Sequence, residues 1–126
     1  MAPDRTDWMA YGAIADLPLL RAFVAARAMS LGLPRERADL LRLAVTELAT
    51  NTLLYTVGGG RVRVWVEAGQ LMCEVVDRGP APQLGRPMPP PEAERGRGLA
   101  IVERVCDEIS TATAANGTTI RLRFSL

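Results

Sequence analysis

The chain has 126 residues, 48% of them hydrophobic, with fifteen basic and fourteen acidic side chains and no histidine. That length suits one domain with a single core, and a net charge of +1 gives no electrostatic reason to expect nucleic acid. Every basic residue is arginine, so a P-loop lysine is excluded, and the missing histidine excludes a Ser-His-Asp triad, a His-ligated zinc site and self-phosphorylation on histidine.

Cys73 and Cys106 form no disulfide framework and fall in apolar stretches, which reads as two buried thiols in a reducing cytosol. The longest apolar run is too short to cross a bilayer and the N-terminus lacks a signal-peptide pattern. A cytoplasmic protein without a membrane segment is expected.

Residues 1–15 are weakly patterned, with Trp8, Tyr11 and Ile14 suggesting an edge strand or a docking arm. Asp16 before Leu17-Pro18 reads as an acidic cap with proline in the first helical turn. Leu20, Phe23, Val24, Arg27, Ala28 and Leu31 follow at helical spacing, and Gly32 ends the helix. A second helix is predicted from about Pro34 to Tyr55. Leu41, Ala44, Val45, Leu48 and Thr52 form one stripe; Leu40, Leu43, Glu47, Asn51 and Leu54 form its neighbour. The neighbour is apolar except for Glu47 and Asn51. Buried polar groups need partners, so a ligand is expected there.

After the break at Gly58-Gly59-Gly60, Val62, Val64 and Val66 alternate with Arg61, Arg63 and Trp65, a half-buried strand. Ala68-Gly69-Gln70 turns the chain into a second strand, Leu71–Asp77, giving a hairpin. The surface with Arg63, Trp65, Met72 and Glu74 reads either as an interface with an exposed tryptophan or as a tryptophan half-covered by the N-terminal arm. Residues 78–95 hold six of the nine prolines and form neither helix nor central strand; so long a loop is usually functional. A helix is predicted over Gly98–Asp107, then a hairpin pairing Ile109–Ala114 with Thr118–Leu126 across Asn116-Gly117.

Three short segments carry the chemistry. An Asn51 side-chain oxygen suits magnesium, which takes one or two protein oxygens beside phosphate and water. Glu47, one turn earlier, is placed to accept a proton from a hydroxyl or water. Asp77 ends a strand and can accept a hydrogen bond from an adenine amino group, with Gly79 allowing the backbone close to the ring. Gly96-Arg97-Gly98 opens a helix whose free N–H groups attract phosphate. Arg95 or Arg97 reads either as a contact to the terminal phosphate or as a solvated loop charge. Taken singly, each segment also has a plain structural reading: an exposed polar pair, a strand-ending turn and a glycine-led helix start.

In order, Glu47-Leu-Ala-Thr-Asn51, Asp77-Arg-Gly79, Gly96-Arg-Gly98-Leu99 and the last strand Gly117-Thr118-Thr-Ile-Arg-Leu resemble the GHKL (Bergerat-fold) ATP-binding superfamily over nearly the whole chain. The phrasing Glu-Leu-Ala-Thr-Asn-Thr-Leu and Gly-Arg-Gly-Leu-Ala-Ile-Val is similar to the small anti-sigma-factor serine/threonine kinases of bacteria. The Ala/Arg-rich, lysine-free composition fits a GC-rich actinobacterial genome. The resemblance implies an α/β two-layer sandwich with a mixed, mostly antiparallel sheet and helices on one face. It implies one domain over 1–126, with 78–96 as an ATP lid.

It further implies ATP and Mg2+ as ligands, Glu47 as the catalytic base and Asn51 on magnesium. Asp77 and Thr118 would lie at adenine; Gly79, Gly96 and Gly98 would be close-approach glycines, with Arg97 and Leu99 in the same nucleotide site. The implied function is partner switching: phosphorylation of a serine or threonine on an anti-anti-sigma STAS-domain protein, control of a sigma factor, and homodimer formation. Two other functions are compatible with the residues, a non-catalytic ATP-sensing binding module and the ATP-binding domain of a histidine kinase acting in trans. The chain departs from the family's pattern at Tyr55, where many relatives carry histidine, in Asp77-Arg-Gly79-Pro-Ala-Pro, which lacks a second glycine, and in its short lid.

Overall fold

Valines alternating with arginines give the segment after Gly58-Gly59 one apolar and one polar face, and the computed structural model buries Val62 and Val64 while Val66, near the strand's end, is exposed. The structure describes residues 8–91 and 97–126. The expectations for residues 1–7, Arg95 and Gly96 lie outside the described residues.

Strands β1 (Met9–Tyr11), β2 (Gly60–Glu67), β3 (Gln70–Asp77), β4 (Glu108–Ala114) and β5 (Gly117–Ser125) form one sheet in the order β1-β2-β3-β5-β4. All four pairings are antiparallel, so the sheet is wholly rather than mostly antiparallel. Helices α1 (Leu17–Ser30), α2 (Arg35–Tyr55) and α3 (Arg97–Val105) complete the fold. Val62, Val64, Leu71, Cys73, Val75, Leu122 and Phe124 of the sheet share one core with Leu20, Val24, Leu41, Val45 and Leu48 of the helices. The α/β two-layer sandwich is therefore the observed architecture. Among the described residues no helix is long and apolar enough to cross a membrane.

The first stripe of α2 is buried as its spacing requires: Leu41, Ala44, Val45, Leu48 and Thr52 are all in the interior. The second stripe is not a buried face. Leu40, Glu47 and Asn51 are half-buried, while Leu43 and Leu54 are exposed. The reason is coverage: the sheet takes the first stripe, and α3 reaches only part of the second.

Two local expectations are refined. Asp16 is the N-cap residue of α1, with Pro18 in the first turn, but its side chain makes no capping bond to that helix. Its Oδ2 accepts N–H bonds from Gly12 at 2.8 Å and Ala13 at 3.0 Å, closing the 3-10 turn Ile14–Asp16. These bonds hold the Asp16 carboxyl below its usual range. Helix α3 stops at Val105 rather than Asp107. Asp107 is committed to β5: its N–H donates to the Arg123 carbonyl at 3.0 Å, and its carboxylate accepts from the Ser125 N–H at 2.6 Å and from Arg37 at 2.8 Å. Cys73 is fully buried and Cys106 half-buried; burial pushes both thiols up, that of Cys106 to about 12.

The sheet face opposite the helices carries a ladder of arginines and tryptophans. Arg61 and Arg63 stack on Trp8 at 4.4 and 4.6 Å, and Arg63 and Arg121 stack on Trp65 at 4.5 and 5.7 Å. Between them lies Glu74, buried to 4% exposure, accepting from Arg63 Nε and Arg121 Nε, each at 2.9 Å. Trp65 is thus covered by Arg63 of its own strand and Arg121 of β5 rather than exposed, each stacked cation contributing dispersion and electrostatic attraction.

Removing the Glu74 charge strands two guanidinium groups on this face. Glu74→Gln is expected to lower the unfolding free energy by about 2 kcal/mol, below the loss at a fully buried pair because the arginines partly face water. Urea denaturation measures it, and an unchanged midpoint would mean the ladder contributes nothing to stability.

Candidate functional site

Residues four apart on a helix lie one above the other, so α2 presents Glu47 and Asn51 together, one turn apart. Glu47 makes no hydrogen bond or ion pair with the described residues. It faces the first turn of α3. A Cβ added at Gly98 would stand 2.5 Å from Glu47 Oε1, so only a glycine brings the α3 backbone this close to the carboxylate at rest.

Asn51 lines a cavity of about 490 Å3, a size that accommodates small-molecule ligands. Its walls are Tyr55 and Thr56 at the end of α2, Pro80 to Gln83 and Arg86 in the loop after β3, and Leu99 on α3. Arg86 has no hydrogen bond or ion pair among the described residues. A second, more apolar cavity of about 460 Å3 adjoins it, sharing Gln83, Arg86 and Leu99 and extending to Met88 and Ala100. The loop between is held by side chains of α3. Glu103 accepts the Gly85 N–H at 2.9 and 3.1 Å, and Arg97 donates to the Pro89 carbonyl at 2.7 Å.

At the end of β3 a buried polar chain surrounds Asp77. Its Oδ1 accepts the Gly79 N–H at 2.7 Å and its Oδ2 accepts the Thr52 hydroxyl at 2.8 Å. The Thr52 oxygen in turn accepts the Tyr11 hydroxyl at 2.9 Å. Thr118 donates to the Gly79 carbonyl at 2.7 Å, so its hydroxyl anchors the turn. A Cβ at Gly79 would run into the Thr56 methyl group. Asp77 also borders a separate hollow of about 340 Å3 with Gly58, Gly59, Gly60, Arg61 and Arg78.

The expected site residues therefore fall into three neighbouring groups. Asn51 and Leu99 line the cavity, Glu47 and Gly98 lie against each other, and Asp77, Gly79 and Thr118 form one hydrogen-bonded unit. Arg97 is anchored to the loop, and Gly96 lies outside the described residues. Thr52, Tyr11, Arg86 and Glu103 join the site without having been singled out for it. A threonine within the apolar stripe of α2 was the one available signal; the others carry none in their local sequence.

The donor set fits a magnesium nucleotide. Asn51 offers a hard neutral oxygen, which leaves room for phosphate and water on the metal. An added Cβ would meet the Glu47 carboxylate at Gly98, and at Gly79 the Thr56 methyl group with Asp77 Oδ1 3.3 Å away.

A five-stranded antiparallel sheet with helices packed on one face matches the GHKL α/β fold. The histidine kinase-like ATPase domain family matches residues 12–124, and the chain belongs to that family. Among solved structures, the chain is similar to the RsbU and RsbW domains of Rv1364c from Mycobacterium tuberculosis, with TM-score 0.71 and 20% identity over 96% of this chain and 32% of that one. It is similar to the blue-light activated histidine kinase EL346 of Erythrobacter litoralis, with TM-score 0.56 and 25% identity over 75% of this chain and 32% of that one. The histidine kinase domain of the Escherichia coli osmosensor EnvZ aligns with TM-score 0.52 and 21% identity over 85% of this chain and 86% of that one. The chain spans about a third of the length of the first two. No curated protein matches it.

The two glycines are expected to respond differently to alanine. At Gly79 the obstacle is Thr56, pinned by its hydroxyl to the Thr52 carbonyl at 2.7 Å, so Gly79→Ala should cost about 1–3 kcal/mol. At Gly98 the obstacle is the free end of Glu47, which can swing aside, and the cost should stay below about 1 kcal/mol. Thermal unfolding of both variants compares them; equal losses would mean Glu47 is held in place.

Burial pushes the Tyr11 phenol from 10.0 up to about 12. A group whose folded value is raised contributes stability that is complete below its unfolded value and lost as pH climbs through the folded one. Stability tied to Tyr11 should therefore decline between about pH 10 and pH 12. Tyr11→Phe should remove that component in denaturation curves taken across this range.

Proposed function

We propose that this chain is a Mg-ATP-dependent protein serine/threonine kinase of the anti-sigma-factor type. In this reading it phosphorylates a serine or threonine on an anti-anti-sigma STAS-domain protein and thereby shifts between that partner and a sigma factor. The observation that carries it is the spacing of Glu47 and Asn51 by one turn of α2, with the Asn51 side chain in the cavity wall and Gly98 against Glu47.

Magnesium-bound ATP supplies the phosphoryl group for transfer. Asn51 would hold the metal through its side-chain oxygen. Asp77 accepts from the adenine amino group with the lone pairs that Thr52 and the Gly79 N–H leave over. Thr118 keeps Gly79 in place by gripping its carbonyl. Glu47 takes the proton from the attacking hydroxyl, a role open to it because no described residue occupies its carboxylate. The start of α3 at Arg97 and Gly98 offers N–H groups to phosphate. Arg86 lines the Asn51 cavity, which suits it to phosphate charge better than Arg97, whose guanidinium is engaged by the loop. Pro80 to Gln83 and Arg86, in the described part of the expected lid, lie beside the nucleotide site, the chain works as one domain in the cytoplasm, and two copies pair as a homodimer.

Incubation with Mg-ATP labelled at the terminal phosphate and a STAS-domain protein tests this. Acid-stable phosphoserine or phosphothreonine should appear on the partner, and Glu47→Gln should slow transfer by about 100-fold or more. Acid-labile label would indicate transfer to histidine on another chain. Nucleotide binding without label on any partner would make the chain an ATP-sensing binding module.

A further inference from the structure

Tyr11 ends the three-residue edge strand β1 and is buried to 3% exposure. Its ring end lies against Gly60, where an added Cβ would stand 2.6 Å from the phenol oxygen. A phenylalanine would fill the same space and need no partner. The hydroxyl instead begins a chain of bonds: Tyr11 to Thr52 at 2.9 Å, then Thr52 to Asp77 at 2.8 Å.

The Thr52 hydroxyl has one proton and two acceptors within reach, Asp77 Oδ2 at 2.8 Å and the Leu48 carbonyl at 3.1 Å. A threonine in mid-helix ordinarily gives its proton back to the preceding turn. Donation from Tyr11 occupies one lone pair of the Thr52 oxygen and restricts how its hydroxyl rotates, favouring the shorter bond to the carboxylate. Burial keeps the phenol protonated, so it remains a donor at every physiological pH. With Thr52 on one oxygen and the Gly79 N–H on the other, the carboxylate of Asp77 is held in one orientation.

We infer that Tyr11 is a positioning residue for nucleobase recognition, acting through Thr52 to orient the Asp77 carboxylate toward the 6-amino group of a purine. The inference rests on the reading of Asp77 as the base acceptor. It gives β1, an edge strand far from α2 in sequence, a part in choosing the ligand.

Calorimetric titration of the full chain with Mg-ATP and with Mg-inosine triphosphate tests it, since inosine carries a carbonyl in place of the amino group. The wild type should prefer ATP. Tyr11→Phe should reduce that preference by about threefold to tenfold, chiefly through weaker ATP binding, as expected for one hydrogen bond in a network. Thr52→Val should reduce it at least as far, and Thr52→Ser, which keeps the hydroxyl, should return it to within about twofold of wild type. A Tyr11→Phe protein with the wild-type preference, its circular dichroism unchanged, overturns the inference. Equal affinity of the wild type for both nucleotides instead overturns the assignment of Asp77, a failure seen without any variant. Should Tyr11→Phe not fold, the Thr52 pair decides: equal preferences in Thr52→Val and Thr52→Ser refute the relay.

Discussion

The hydrogen bond between Thr52 and Asp77, 2.8 Å long, ties the helix layer to the sheet layer at the end where the cavity opens. Most of the contact between these layers is apolar, and apolar burial is strong but non-directional. It holds α2 against the sheet without setting its position along its own axis to within a turn. A directional bond does that. Were α2 displaced by one turn toward its C-terminal end, Leu48 would replace Thr52 opposite Asp77 and leave the partly buried carboxylate short of a donor, a costly arrangement. Once Thr52 is placed, the helical period places Asn51 and Glu47.

The proline-rich loop poses the complementary problem. Six prolines between residues 80 and 91 remove N–H donors and prevent the segment from building a ladder of its own. Its backbone groups are met from outside. Glu103 takes the Gly85 N–H, and Arg97 gives a proton to the Pro89 carbonyl. Both side chains belong to α3, whose Gly98 rests on Glu47. The loop, α3 and the polar pair of α2 thus form one connected assembly around the Asn51 cavity.

Among the described residues no helix covers the opposite face of the sheet, yet Trp65 is only 6% exposed. Arginine stems and guanidinium planes do the covering, and Glu74 neutralises two of the charges that this brings together. The N-terminal segment takes part in both faces. Trp8 stacks on Arg61 and Arg63 outside, while Tyr11, three residues on, enters the core and reaches Thr52.

By itself the sequence determined the kind and order of the elements from α1 onward, and left β1 open between an edge strand and a docking arm. Period-two valines mark β2, the Leu41-to-Thr52 stripe marks the buried side of α2, and Asn116-Gly117 marks the last turn, because each pattern reports backbone geometry within a few residues. The spacing of Glu47, Asn51, Asp77 and Gly98 likewise pointed to the family, since a helical turn and a glycine-led helix start are local devices. Tertiary structure decided the rest. The early end of α3 and the burial of Trp65 each turn on which groups arrive from elsewhere. Thr52 and Asp77 are 25 positions apart, and Tyr11 and Thr52 are 41. A side chain's hydrogen-bond partner across such distances is set by how the layers pack, and no local periodicity encodes it.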